Sequence, residues 1–475
     1  MWRLWLACGP DPKDVVEDSP STVDTDSPPA HTGDTGVAAH TGDTGTTGST
    51  TDTGPAAISV SCDPTDNALR FTCHVTVDPP QGVQIAFRKA DGTGPERVHQ
   101  SLDPATDHDV PLYFLAPATE YVFDASGLDG GPVATGSVTS GVPVFDLASS
   151  MVVEGTSSTP LLGTNIPCGT GATYGIYDSV TGELVWYQVA DPYGHFGGYE
   201  MMQFTEDHTM LGQSGAMVTE FALDGTELLR KVQGLDYFDD LHHDLFKRDG
   251  QIWLLYRQFG PVILDGFVVW DAAGTEVARW FMADHLDIPL DAEDDWSHTN
   301  TIWVEDGFVY LSSYTQHTVM KIDGDLAAPT FGDPAWFLAG SDGLGFGQDF
   351  AVDWSAVDGD DGFVHQHALR LTADGRLMFL DNANGRALVL SVDESTHTAT
   401  VDEAYAANQP SCSAQGTASQ TGAGNYLVNC ASMEIREYEP GADTPVFTGT
   451  LVCENGGGGG SATSSAARWY ALDGW

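Results

Sequence analysis

The chain has 475 residues, room for two or three domains, and its 68 acidic residues against 18 Lys plus Arg give a formal net charge of −50. Phosphate binding needs clustered cations, so this balance excludes nucleic acid as a partner, and an anionic membrane surface would repel the protein. Hydrophobic residues at 41% supply a core, 54 glycines and recurrent turn signals break the chain often, and long 3.6-residue apolar periods are scarce; the expectation is an all-β protein.

Residues 1–8 read MWRLWLAC, and Leu6-Ala7-Cys8-Gly9 resembles the end of a bacterial lipoprotein signal, with Cys8 as the lipidated residue. Export follows from that reading, with a lipid as the only membrane tether, in the periplasm or at the outer cell surface of a bacterium. Residues 9–54 are Asp, Thr, Gly, Ser and Pro with HTGDTG at 31–36 and again at 40–45; such a segment cannot bury enough apolar surface to offset its chain entropy and reads as a tether. Six further cysteines suggest disulfides in an exported protein. Cys62 and Cys73 lie one hairpin apart, as do Cys412 and Cys430, which leaves Cys168 for Cys453.

Residues 55–145 show short alternating strands and predict a small β-sandwich. Its LAPATEYVFDASG stretch at 115–127 resembles fibronectin type III domains, with Tyr121 in the tyrosine-corner position.

From 146 to 475 a repeat appears: strand, Asp-containing turn, strand. It runs 174–187, 218–232, 267–281, 318–331 and 388–401, with a weaker copy at 433–447. The turn acids Asp178, Asp224, Asp271, Asp323 and Asp393 are spaced 46, 47, 52 and 70 apart, and a second turn precedes most copies. Four short strands per repeat and six copies predict a six-bladed β-propeller. A Cys168–Cys453 bond would close its ring, and 340–362 reads as a loop over one face.

Counting back from the second set of turns, His243 stands six residues before Asp249, His298 eight before Asp306, His367 seven before Asp374 and Glu200 seven before Asp207. These residues hold one structural position, the start of the first strand of successive blades, and the three histidines should face a shared channel. Eight residues past Asp249, Asp306 and Asp374 stand Arg257, Tyr314 and Asn382, a second ring on the same side. Three imidazoles in register are hard to explain by packing. They suit a metal with an open position, or covalent catalysis in which one imidazole attacks while another handles the proton.

The stretches HHDL…RDGQIWLL, DWSHTNTIW…GFVYLSS and QHALRL…DGRLMFLDN resemble the motifs of the arylsulfate sulfotransferase family, over roughly residues 145–455. The resemblance implies a propeller behind an N-terminal β-sandwich. It also implies a ping-pong transfer from a phenolic sulfate donor to a phenol acceptor, with no cofactor and no nucleotide sulfate. It makes His367 the transiently sulfurylated residue, places His298 and Asn300 on the sulfuryl group, and gives the HHD pair a further histidine: His243 by register, His242 as alternate. Where the family pattern reads Ser-Ser-Arg, this chain has Ser312-Ser313-Tyr314. The missing cation is expected from Arg257, one blade earlier, or from Arg370. Trp296, Trp303, Tyr314 and Phe363 lie near the motifs as candidates to stack on an aryl ring. The family includes dimers, so a homodimer is one expectation. Two other readings follow from the residues: a metal-binding propeller hydrolase or lyase ligated by His243, His298 and His367, and a non-catalytic surface-displayed propeller.

Overall fold

The computed structural model describes residues 57–143, 150–166, 173–189, 201–214, 216–290, 292, 295–340, 346–357, 362–430, 432–453 and 468–475. Cys8, the tether, Cys168 and Glu200 lie outside them. The described residues are strands and turns apart from one four-residue helix, Met282–His285. No helix among them is long and apolar enough to cross a membrane.

Ahead of the repeats, five strands form one curled sheet. Its 19-residue strand Phe71–Lys89 pairs over its first half with Ala57–Pro64 and over its second half with Glu120–Gly127. Its pairing with a third strand, Arg97–Leu112, shifts register between Thr76 and Val83. Pro79 and Pro80 sit there and cannot donate ladder hydrogen bonds, so the strand bends instead of ending. A single strand thus serves both faces, where separate short strands are what the sequence predicts. Cys62 and Cys73 are directly opposed and disulfide-bonded. The Tyr121 hydroxyl accepts a 2.8 Å hydrogen bond from the Ala116 amide. Arg70, 6% exposed, fastens this sheet to the next by donating to the Tyr187 carbonyl (2.7 Å) and Gln188 Oε1 (2.9 Å).

The remaining described strands make six small sheets of four or five strands, in a β-propeller-like arrangement. Three are plain meanders over Met201–Val232, Asp240–Phe281 and Thr299–Ala339. Asp–Gly turns with Gly225, Gly250, Gly307 and Gly375 at positive φ join several of these strands. The repeat boundaries match strand pairs except at 433–447, where the second strand Phe447–Val452 begins at the last residue of the copy, and at 318–331. There the second strand is Pro334–Ala339, because Asp323 and Asp325 organise an intervening loop. The described part of 340–362 is also not a cover over a face. Its strand Ala351–Asp353 pairs in parallel with Thr398–Thr400 at the outer edge of the fifth sheet.

Both chain ends of the repeat region are woven into its sheets. Trp469–Ala471 pairs with Leu161–Asn165, and Ser150–Gly155 pairs with Phe447–Val452. Two sheets are therefore built from strands about 300 residues apart in sequence, so closure rests on hydrogen-bond ladders. Cys412 and Cys430 are bonded, and Cys453 is disulfide-bonded too. The first strands of successive sheets, Met201–Phe204, Asp240–Arg248, Thr299–Glu305, His367–Leu371 and Thr417–Gln420, lie side by side. This places their side chains around a common centre.

Candidate active site

Three neighbouring sheets break register at the same place in their first strands: between Leu241 and Leu245, between Thr299 and Thr301, and between His367 and Arg370. The backbone there adopts left-handed φ at His243 (57°), His298 (36°), His365 (60°) and Ala368 (58°). A bulge re-aims side chains, and non-glycine residues at positive φ cost about 1–3 kcal/mol each and gather at functional sites. The sequence pattern placed these histidines at strand starts; the bulges turn them toward one another.

The result is a chain of touching rings. Centroids are 4.8 Å apart for His242 and His243, 4.7 Å for His243 and His298, 4.9 Å for His298 and Tyr314, and 5.4 Å for Tyr314 and His367. Tyr314 also stacks on His365 at 4.1 Å, and His365 meets His317 at 4.8 Å.

Hydrogen-bond partners fix the proton on His367. Its Nδ1 lies 3.0 Å from the His365 carbonyl and 3.1 Å from Asn382 Oδ1. The Asn382 amide nitrogen donates to the Gln415 carbonyl, so its oxygen faces the histidine. Both neighbours are acceptors. Nδ1 therefore carries the hydrogen, and Nε2 keeps its lone pair. Burial, with the charges of His298 and Arg468, lowers His367 to about 3, so it is a neutral base at physiological pH.

The other imidazoles are set differently. His298 Nδ1 lies 2.5 Å from Asp295 Oδ2. His242 is 3% exposed, with Nε2 3.0 Å from the buried Asp265 carboxylate but off the line of a hydrogen bond, so that attraction is electrostatic. Burial opposes the charge of Asp265, yet His242, Ser297 and the Thr299 amide outweigh it and hold the carboxyl below its usual range. Nδ1 of His242 faces Nδ1 of His243. Burial and then the surrounding His242, His298, His367 and Arg257 push His243 well below its ordinary value. Burial raises the Tyr314 phenol, which stays protonated.

The expected cations lie elsewhere. Arg257 pairs with Asp240 at 2.5 Å and covers Phe259, and it acts on His243 through its field. Arg370 lies over Trp303 and 3.7 Å from Asp244. Asn300, fully buried, donates to the Gln366 carbonyl (2.8 Å) and so ties its strand to that of His367. Trp296 and Phe363 are core residues, 8% and 0% exposed, and of the four aromatic candidates Tyr314 makes the ring contacts with the histidines. Counting along the repeat missed Asp265, Asp295, His317 and His365, though Asp295 and His365 stand two or three residues from counted histidines. It also missed Arg468, which no sequence spacing signals. Arg468 is 6% exposed, is paired with Asp244, and donates to the His243 carbonyl at 2.8 Å. Among the described residues no group of three or more His, Cys, Asp or Glu side chains is arranged to hold a metal ion.

A pH prediction follows from the lowered histidines. His365 is held at about 4 by burial and its neighbours His317 and His298. The unfolded chain binds protons at these residues below about 6.5, whereas the folded chain does not until about 4 at His365 and about 3 at His367. Stability is therefore lost as pH falls through this window, by up to about 1.4 kcal/mol per pH unit for each group. Urea midpoints measured from pH 6.5 to 5 should fall less steeply in His365→Asn. An unchanged slope would show that His365 titrates normally in the folded protein.

Comparisons with solved structures give only remote similarities. A protein of unknown function from Bacteroides caccae is 10% identical with a TM-score of 0.37, covering 57% of this chain and 82% of that one. Virginiamycin B lyase from Staphylococcus aureus is 11% identical with a TM-score of 0.34, covering 78% and 100%. An auxiliary nutrient binding protein from Bacteroides thetaiotaomicron is 12% identical with a TM-score of 0.33, covering 84% and 85%. No curated protein matches the chain. The family model for arylsulfotransferases matches residues 169–438, more than half of the sequence and all of the counted histidines. The chain belongs to the arylsulfotransferase family.

Proposed function

We propose that this protein is an exported aryl sulfotransferase that needs no nucleotide sulfate, moving a sulfuryl group from a phenolic sulfate ester to a phenol through a sulfohistidine at His367. The observation that carries the reading is the fixed tautomer of His367: a buried neutral imidazole whose Nδ1–H is held by two acceptors, leaving Nε2 as nucleophile. In the first half-reaction Nε2 attacks sulfur, the S–O bond to the aryl group breaks, and the departing phenolate takes a proton from protonated His298. In the second, His298 removes the proton of the acceptor phenol as its oxygen attacks sulfur and the N–S bond breaks. Asp295 supports the imidazolium that each turnover requires.

The six sheets are read as six propeller blades, 146–475, and the curled sheet ahead of them as the fibronectin-like domain of 55–145. Export is part of the proposal, with a lipid tether at Cys8; the Cys62–Cys73 and Cys412–Cys430 bonds support an oxidising compartment.

Tyr314 donates a hydrogen bond where the family resemblance implies an arginine, and the positive potential falls to Arg257 and Arg468. Arg257→Ala is expected to lower sulfuryl transfer several-fold, through loss of the positive field it sets at His243 and not of a contact, because its guanidinium is held by Asp240. The thermal midpoint should barely move, because its pairing with Asp240 is partly exposed and such pairs contribute about 0–1 kcal/mol. Steady-state kinetics with differential scanning calorimetry decide it; a loss under threefold removes Arg257 from the site.

The test of the whole reading is rapid mixing with 4-nitrophenyl sulfate. A burst of nitrophenol with a sulfuryl mass gain on the peptide holding His367 is expected. Neither burst nor adduct, with a phenol acceptor present, would overturn it.

A further inference from the structure

His317 closes the turn 314–317 between the strands Phe308–Ser313 and Thr318–Asp323, at φ 47°. Its own peptide groups are pinned. The amide donates to the Tyr314 carbonyl at 3.4 Å, and the carbonyl accepts from the Gly340 amide at 2.7 Å. The side chain crosses to the next sheet, where its Nδ1 lies 3.1 Å from the backbone nitrogen of His365. A backbone N–H can only donate. Nδ1 of His317 is therefore an acceptor, and the neutral ring carries its hydrogen on Nε2.

The amide that His317 holds and the carbonyl that faces His367 belong to one residue. His365 sits at φ 60°, and its carbonyl is 3.0 Å from Nδ1 of His367. The register break between His367 and Arg370 takes this stretch off the regular ladder, and side chains of the sheet Thr299–Ala339 take over. Asn300 Nδ2 and Ser312 Oγ donate to the Gln366 carbonyl at 2.8 and 3.2 Å, and Thr301 Oγ1 accepts from the Ala368 amide at 3.1 Å. Gln366 Nε2 returns bonds to the Ser313 and Thr318 carbonyls. These contacts fix residues 366 and 368; at 365 the acceptor is His317. A left-handed conformation away from glycine persists only where the surroundings over-determine it. With no acceptor at 317, residue 365 relaxes toward negative φ and its carbonyl turns off His367. Asn382 Oδ1 alone then holds the Nδ1 hydrogen.

We propose that His317 is a positioning residue for His367. Its Nδ1 keeps the His365 peptide in the conformation whose carbonyl binds Nδ1–H of His367, and so leaves Nε2 for the attack on sulfur. No proton moves along this path; orientation does. The role deepens, and rests on, the reading of His367 as the nucleophile.

The test is nitrogen NMR of the full chain labelled at histidine, beside rapid mixing with 4-nitrophenyl sulfate. In the unmodified chain His317 is expected as the Nε2–H form and His367 as the Nδ1–H form. His317→Leu removes the acceptor. His367 should then become a mixture of tautomers, and the burst rate should fall by about tenfold, the scale of one hydrogen bond, with KM for the donor little changed. His317→Asn, whose Oδ1 takes the place of Nδ1, should restore the single tautomer and most of the rate, which a merely structural role would not do. Hydrogen on Nδ1 of His317 in the unmodified chain overturns the proposal with no variant needed. So does a His317→Leu protein with one His367 tautomer and an undiminished burst. A missing burst in the unmodified chain overturns the sulfohistidine instead, and the tautomers of His317 and His367 still decide the positioning.

Discussion

His367→Ala is expected to abolish the nitrophenol burst and the sulfuryl adduct and to lower turnover by about four orders of magnitude or more, the scale on which removal of a covalent nucleophile acts. The size of the effect follows from how many features converge on one atom. The His365 carbonyl and Asn382 Oδ1 hold the Nδ1 proton, burial keeps the ring neutral, and the register break beside it sets the strand direction. None of these is supplied by another imidazole. His298 Nδ1 is engaged by Asp295, and His243 sits behind His242 and Asp265. Neither can take over the attack on sulfur. Normal turnover in His367→Ala would pass the nucleophile to another residue or end the ping-pong reading. Retained turnover together with an adduct on His243 or His298 would decide which.

The second large effect is on stability. Arg468→Met is expected to destabilise the protein by about 3 kcal/mol or more, the cost of leaving a buried carboxylate without its partner. Asp244 is fully buried, Arg468 is 6% exposed, and Arg370 at 3.7 Å gives only partial relief. Arg468 also begins the short strand that completes the sheet of Leu161–Asn165, donating from its backbone amide to Asn165 Oδ1 at 3.0 Å. The substitution removes the ion pair and the hydrogen bond to the His243 carbonyl, while the backbone bond to Asn165 Oδ1 stays. The cost should shrink in the Asp244→Asn background, where no charge is left stranded, and a double-mutant cycle from urea unfolding measures that coupling. A loss below about 1 kcal/mol would mean that Asp244 is satisfied by other groups.

The two arguments separate what repetition encodes from what it does not. Recurrent Asp-containing turns and short apolar strands, most of them buried on both faces, mark the strand pairs from Thr173 to Val452. That regularity also made the site partly legible. Similar offsets from the turns bring His243, His298 and Tyr314 into ring contact and put Asn382 on His367. The offsets failed where local geometry departs from the repeat. Arg257 reaches its position but turns to Asp240, a nearby carboxylate that a strongly acidic chain supplies almost anywhere. Asn300 falls on the inner side of a bulge and spends its amide on a backbone carbonyl.

The sequence alone determined the all-β character, the repeat and its length, the residues available at each strand start, and the family those motifs belong to. These are local properties, written in spacing and alternation. The tertiary structure decided how the ring closes, through strands about 300 residues apart. It also decided which nitrogen of His367 is free, and that Arg468 lies behind the histidines. Hydrogen-bond partners and buried charges are set by contacts between distant segments, and a linear pattern carries no record of them until the chain has folded.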